Sequence, residues 1–334
     1  MGAPQDRTLI VSASTAATVA TAAAAVAGVW GLRLLAHAAI LRGLRAPRVP
    51  HTQALTHHGI AANAVQAVRM AGPRGKQLSG WLVSAPGARP HPVPAVLVMH
   101  GWGANASLMG AVAAPLHAAG FAVLLLDARC HGSSDDEPFT SLARFAEDIA
   151  AGLAWLRTQP GIDAHRLALL GHSVGAGACL LHASQHPQEV CAVVSLSAFA
   201  HPTEVMRRLL ADHRVPYPVI GWYVLRHVQR VIGARFDDFA PLTSMRQIRC
   251  PVLLVHGTND KVVPFDDARR LQAAGLQGTV QCLSVTGGHD PTQAIEEHFP
   301  QLIEFLQRFF AAPAEPEKSV LRSEGSTVIS HPAV

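Results

Sequence analysis

The stretch Leu167-Ala168-Leu169-Leu170-Gly171-His172-Ser173-Val174-Gly175-Ala176-Gly177 constrains the fold more than any other part of the chain. An apolar, strand-like run enters a G-x-S-x-G pattern, and an Ala- and Leu-rich segment suited to a helix follows. A strand that turns sharply into a helix crowds its own backbone, and small residues beside the serine relieve that crowding because glycine tolerates strained backbone angles. Such a turn presents the Ser173 hydroxyl at the C-terminal edge of a sheet, with the first N–H groups of the new helix directed toward it. A plain strand–helix turn, or a glycine turn that binds phosphate, would carry similar glycines. The rest of the chain has to decide between them.

From Gly59 onward, short apolar runs alternate with helical stretches. Ile60–Met70 and Leu78–Ser84, joined through Gly72-Pro73-Arg74-Gly75, predict an antiparallel hairpin. Buried strands are predicted at Ala95–Met99, Ala122–Leu126, Leu167–Leu170, Val190–Leu196, Val252–Val255 and Val280–Val285. Leu142, Phe145, Ile149, Leu153 and Leu156 fall on one face of a helix. This alternation predicts an α/β fold with a mostly parallel, eight-stranded sheet covered by helices on both faces. Residues 199–248 break the pattern: they contain no clear strand and predict a helical cap over the strand ends. Residues 1–45 are expected to form a hydrophobic segment with a basic flank, 46–58 a linker, 59–312 the main domain, and 313–334 a disordered tail.

A neutral serine needs a base within hydrogen-bond reach. Gly287-Gly288-His289-Asp290 follows the last strand-like run and offers His289. Gly257-Thr258-Asn259-Asp260 follows Val252–Val255 and offers Asp260, which would accept a bond from the imidazole and stabilise its cation. Taken alone, Asp260 would read as a turn former and His289 as a loop residue. Their order, Ser173, Asp260, His289, each after a separate strand, is the order this architecture uses. Asp290 is the less well placed carboxylate, and Asp266 and Asp267 are expected to start a helix. The run Ala95–Met99 ends in His100-Gly101-Trp102-Gly103, a turn that would aim the Trp102 N–H into the site opposite that of Val174. Two such donors make an oxyanion hole.

With these parts together, the chain resembles an α/β-hydrolase. The matching segments are HGWG at 100–103, DARCHGSSD at 127–135, GHSVG at 171–175, GTNDKVVP at 257–264 and GGHD at 287–290, spread over residues 60–310. The closest resemblance is to bacterial serine aminopeptidase-like and monoacylglycerol-lipase-like hydrolases. That resemblance implies cofactor-free hydrolysis of an ester, thioester or amide, with no choice among them. Members that act as dehalogenases or epoxide hydrolases carry Asp at the nucleophile position, so Ser173 argues against those activities. Two departures stand out: Cys130 replaces a usual Gly, and Ala176 a frequent one. His131 is expected to be a structural loop residue.

The remaining composition narrows the partners. The net charge of +4 is spread along the chain without basic runs or interleaved aromatics, which argues against nucleic acid. Five cysteines lack paired spacing, and the 19 histidines form no HExxH or Cys/His cluster, so neither a disulfide framework nor a metal site is expected. Thr8–Leu32 is uncharged and long enough to cross a bilayer. Arg33, Arg42, Arg45 and Arg48 follow it, so the positive-inside rule predicts a membrane anchor with a cytoplasmic catalytic domain. The alternatives are a secretory signal cut near Ala36-His37-Ala38, leading to export, or a soluble Ala-rich helix.

The expected function is hydrolysis of carboxylic esters with a small lipophilic acyl substrate, for which Trp222 and Tyr223 of the cap are candidate binding residues. A peptidase or an acyltransferase would use the same groups. A non-catalytic binding protein of this fold is the rival from another class, and the complete set Ser173, Asp260 and His289 argues against it.

Overall fold

The computed structural model describes residues 13–87, 91–290 and 296–310. Eight strands build one sheet: β1 (Val65–Ala71), β2 (Gln77–Val83), β3 (Val93–Met99), β4 (Ala122–Asp127), β5 (Ile162–His172), β6 (Ala192–Leu196), β7 (Val252–Gly257) and β8 (Val280–Val285). Their spatial order is β1-β2-β4-β3-β5-β6-β7-β8. The hairpin β1–β2 is antiparallel, as is β2 against β4. All the pairs from β4 to β8 are parallel.

The helices, in chain order, are α1 (Ala13–Gly43), α2 (Gly110–Ala118), α3 (Leu142–Leu156), α4 (Val174–Gln185), α5 (Pro202–Asp212), α6 (Trp222–Ile232), α7 (Pro241–Met245), α8 (Phe265–Ala274) and α9 (Phe299–Phe310). The central strands read as unbroken apolar runs because both faces of the sheet are covered. Successive side chains point to opposite faces. Ala95, Leu97 and Met99 of β3 therefore join Leu124 and Leu126 in a core with α3 and α4. Val96 and Val98 join Val123 and Leu125 in a second core with α2 and α9. Leu97 and Leu124 are inaccessible, and truncating either to Ala would cost about 2–5 kcal/mol.

Helix α3 buries the five residues that announced it, Leu142, Phe145, Ile149, Leu153 and Leu156. The Ser141 hydroxyl caps it by accepting from the Arg144 N–H at 3.3 Å. No strand lies between Phe199 and Ile248; α5, α6 and α7 fill the interval with short helical turns between them. Asp266 and Asp267 stand in the first turn of α8, where carboxylates suit the helix dipole.

One flanking segment differs from the reading of the bare sequence. Residues 46–58, expected as a linker, lie against the domain. Ala46 and Leu55 are buried, and the Asn105 amide donates to the carbonyls of Val49 and Pro50 at 2.8 and 3.1 Å. Helix α1 runs from the uncharged stretch into the basic flank as far as Gly43, within the expected 1–45 segment. Ala17–Gly43 has a mean hydropathy of 1.6, and none of its most apolar window is buried. It is long and apolar enough to cross a bilayer, and near an N-terminus an anchor and a signal sequence share those properties. The tail at 313–334 lies outside the described residues.

Candidate active site

At the end of β5 the chain makes the expected sharp turn. Ser173 takes φ 54° and ψ −117° and caps α4, a conformation unfavourable for any residue with a Cβ. Steric contacts explain the glycines beside it. A Cβ on Gly171 would lie 2.5 Å from the Gly175 carbonyl carbon, and one on Gly175 would lie 2.3 Å from the His100 carbonyl oxygen. The Ser173 N–H donates to the Leu196 carbonyl at 2.8 Å, tying the turn to β6.

Asp260 follows β7 and His289 follows β8, and their loops are laced together. The Asn259 N–H donates to the Gly287 carbonyl at 2.9 Å. Gly257 has no room for a Cβ, which would meet the Gly288 carbonyl oxygen at 2.3 Å. His289 Nδ1 lies 2.8 Å from Asp260 Oδ2, and its Nε2 lies 3.0 Å from Ser173 Oγ. Asp260 Oδ1 also accepts from the N–H groups of Val262 and Val263, each at 2.8 Å. Burial would raise the pKa of Asp260, but the bonds from His256, His289 and Val263 outweigh it and hold the carboxyl below its usual range. An ionised Asp260 accepting at Nδ1 leaves Nε2 of a neutral His289 free of its proton and able to take one from Ser173.

The turn after β3 runs beside the elbow: a Cβ on Gly101 would sit 3.4 Å from Ser173 Cβ. Two buried histidines hold that turn. The Ala128 N–H donates to His100 Nε2 at 3.1 Å, so Nδ1 carries the proton and donates to the Gly101 carbonyl at 2.7 Å. Burial and the neighbouring His131 push the pKa of His100 down to about 3, so it stays neutral. His131 accepts from the Gly103 N–H through Nε2 at 3.1 Å and donates from Nδ1 to the Arg129 carbonyl at 3.0 Å. It braces its own loop against the turn after β3. The Trp102 N–H belongs to this turn, and the Val174 N–H is among the helix-start donors that have no partner inside α4.

Several residues at the site were not singled out from sequence. His172 Nε2 lies 2.9 Å from the His289 carbonyl oxygen, and burial lowers its pKa, so a neutral ring donates that bond. His256 Nε2 donates to the Val263 carbonyl at 2.9 Å and lies 3.4 Å from Asp260 Oδ2. Arg129 is fully buried and bonds Asp148 at 2.5 Å and Glu137 at 3.0 Å, fixing the loop that carries His131. Only its place beside Ser173, as the second residue of GHSVG, could have drawn attention to His172. The others are ordinary polar residues until the fold brings their partners close. Cys130 stands at φ 67°, which is the physical reason glycine is common there.

Trp222 and Tyr223 begin α6. Trp222 is 55% exposed and lines a cap cleft of about 210 Å³ with Thr203, Tyr217 and Leu225. Ser173, Asp260 and His289 do not line that cleft. The Tyr223 ring packs on His227 at 5.7 Å. No group of three or more His, Cys, Asp or Glu residues suited to a metal occurs among the described residues.

A strand–elbow–helix serine on a mostly parallel sheet defines a class, and comparison with known proteins agrees with it. The family model described as serine aminopeptidase, S33, matches residues 90–230. A protein of Mycobacterium phage D29, assigned provisionally as a non-heme haloperoxidase, is 33% identical over 208 residues, spanning 51% of this chain and 73% of that one. An uncharacterized protein of Mycobacterium tuberculosis is 29% identical over 240 residues, 72% of this chain and 77% of that one. An esterase of Pyrococcus furiosus superposes with a TM-score of 0.63 at 20% identity, over 80% of this chain and 99% of that one. The chain belongs to the α/β-hydrolase superfamily.

Proposed function

We propose that the protein is a serine esterase held at a membrane by α1, with its catalytic domain in the cytoplasm. The observation that carries the reading is the relay from Ser173 Oγ to His289 Nε2 at 3.0 Å and from His289 Nδ1 to Asp260 at 2.8 Å, set at a strained elbow. In the proposed reaction His289 takes the hydroxyl proton as Ser173 Oγ bonds to the ester carbonyl carbon. The N–H groups of Trp102 and Val174 stabilise the oxyanion. Collapse of that intermediate breaks the bond to the alkoxy oxygen, which leaves as the alcohol with the proton from His289. Water then gives a proton to His289 and its oxygen to the acyl carbon. Collapse of the second intermediate returns the proton to Ser173 and releases the acid.

The apolar cap favours a lipophilic acyl group, and the esterase among the similar folds accords with ester chemistry. A fluorophosphonate probe should label the wild-type chain at Ser173 and fail to label Ser173→Ala. Labelling of another serine with Ser173 unmodified would overturn the assignment. Peptide hydrolysis is the second reading, favoured by the serine aminopeptidase model that matches residues 90–230. Acyl p-nitrophenyl esters of graded length, run beside aminoacyl anilides, separate the two.

A further inference from the structure

Among the described residues outside α1, the exposed large hydrophobics are Trp102, Leu108, Leu209, Val219, Ile220, Trp222, Val262 and Leu276. Half of them lie on the cap. Val219, Ile220 and Trp222 fall within residues 215–225, an uncharged run bounded by Arg214 and Arg226. Val219 is 75% exposed. A solvated apolar tip of this kind raises the question of what covers it.

The position of α1 supplies an answer. Its uncharged part, Ala13–Leu32, is about 30 Å long at 1.5 Å per residue, the thickness of a bilayer's hydrocarbon core. His37 lies about 8 Å further along the axis, which is headgroup depth. At that level His37 Nδ1 meets His227 Nε2 of α6 at 2.9 Å, and Ile40 and Leu41 pack against the core that includes Leu225 and Val228 of α6. The helix that would cross the membrane therefore holds the cap at the membrane surface.

Charge and residue type agree with that placement. Arg214, Arg226 and Arg230 have no carboxylate partner among the described residues. Three cap carboxylates are committed elsewhere: Glu204 to Arg270, Asp237 to His201 and Arg235, and Asp238 to the Arg235 N–H. That leaves Asp212 as the one other acidic residue of the cap against these three arginines. Trp222 and Tyr217 are the amphipathic ring types that settle at bilayer interfaces, and arginines beside them suit anionic headgroups.

We propose that residues 215–225 of the cap are a second membrane contact, seated in the headgroup layer of an anionic bilayer beside α1. This rests on the reading of α1 as an anchor and adds the orientation of the domain to it. Lipophilic esters would then reach the cap from the membrane.

The test uses the full chain in phosphatidylglycerol-containing vesicles, with a nitroxide on Val219→Cys, on Val26→Cys in α1, or on Leu276→Cys. Leu276 lies outside residues 199–248, in the turn before the edge strand β8. The unsubstituted chain corrects for labelling of native thiols. Collision rates with oxygen and with a water-soluble nickel chelate report depth. The Val219 label should favour oxygen severalfold more than the Leu276 label does, and Arg214→Glu with Arg226→Glu should shift it toward water. A Val219 label as open to nickel as Leu276, with Val26 still shielded, overturns the cap contact and leaves the anchor standing. A Val26 label open to nickel overturns the anchor, and the cap contact with it. A Val219 label unmoved by the two glutamates overturns the role of anionic headgroups.

Discussion

His172 donates to the backbone carbonyl of His289 at 2.9 Å, so the residue before Ser173 holds the loop that carries His289. The bond crosses from β5 to the loop after β8, two strands that do not touch in the sheet. It is a positioning contact, since the His172 ring acts on the backbone of His289 and not on the reacting atoms. His172→Phe should therefore lower kcat by about 10- to 100-fold, the cost of misplacing a catalytic group by an ångström or so, with little change in KM. His172→Gln, which keeps a donor, should restore part of the loss. Steady-state kinetics on one ester would decide, and an unchanged kcat in the Phe variant would remove His172 from the account.

Asp260→Asn preserves shape but offers His289 an amide that can donate as well as accept, which favours the wrong tautomer. The loss in kcat should approach the roughly 10⁴-fold measured for the same change in the serine protease template. Asp290→Asn should be mild by comparison. The reverse ranking would mean that Asp290 orients the base.

Ser173 tests the strain at the elbow separately from the chemistry. Ser173→Ala and Ser173→Gly should both abolish turnover, since both lack the hydroxyl. Only glycine relieves the positive φ, a strain of about 1–3 kcal/mol that is partly offset by glycine's greater chain entropy. The Gly variant should unfold about 1 kcal/mol later than the Ala variant in urea. Equal stabilities would show that the turn holds Ser173 without strain.

Buried neutral histidines make acid a destabiliser. The pKa of His100 is about 3 when folded, against an ordinary 6.5, because of burial and His131. Between those values the unfolded chain binds a proton that the folded chain does not. The stability from a neutral His100 is thus complete above pH 6.5 and lost as pH falls toward 3. His131 and His172 are depressed in the same direction. The melting temperature should drop from neutral pH to about pH 4, and less steeply in His100→Gln relative to its own value at neutral pH. An equal or steeper slope in the variant would assign the acid sensitivity to other groups.

Much of this molecule is legible in its sequence because the information is local. Apolar runs such as Ala122–Leu126 mark strands, since a short unbroken run of Val and Leu suits a strand covered on both faces of the sheet. The five apolar positions of α3 recur at helical spacing, and the glycines around Ser173 are required by contacts within a few residues of them. Chain order after successive strands makes Asp260 and His289 candidates, because a parallel sheet brings all its strand ends to one edge, and the two side chains lie 2.8 Å apart there. What only the tertiary structure decided is where distant polar groups meet. The bond from His172 to His289, the brace from His131 to Gly103, and the docking of residues 46–58 through Asn105 join positions far apart in the chain. Nothing in the local pattern of hydrophobicity records such pairings. The same holds for α1: composition makes it long and apolar, but the contact of its His37 with His227 depends on the cap surface it packs against.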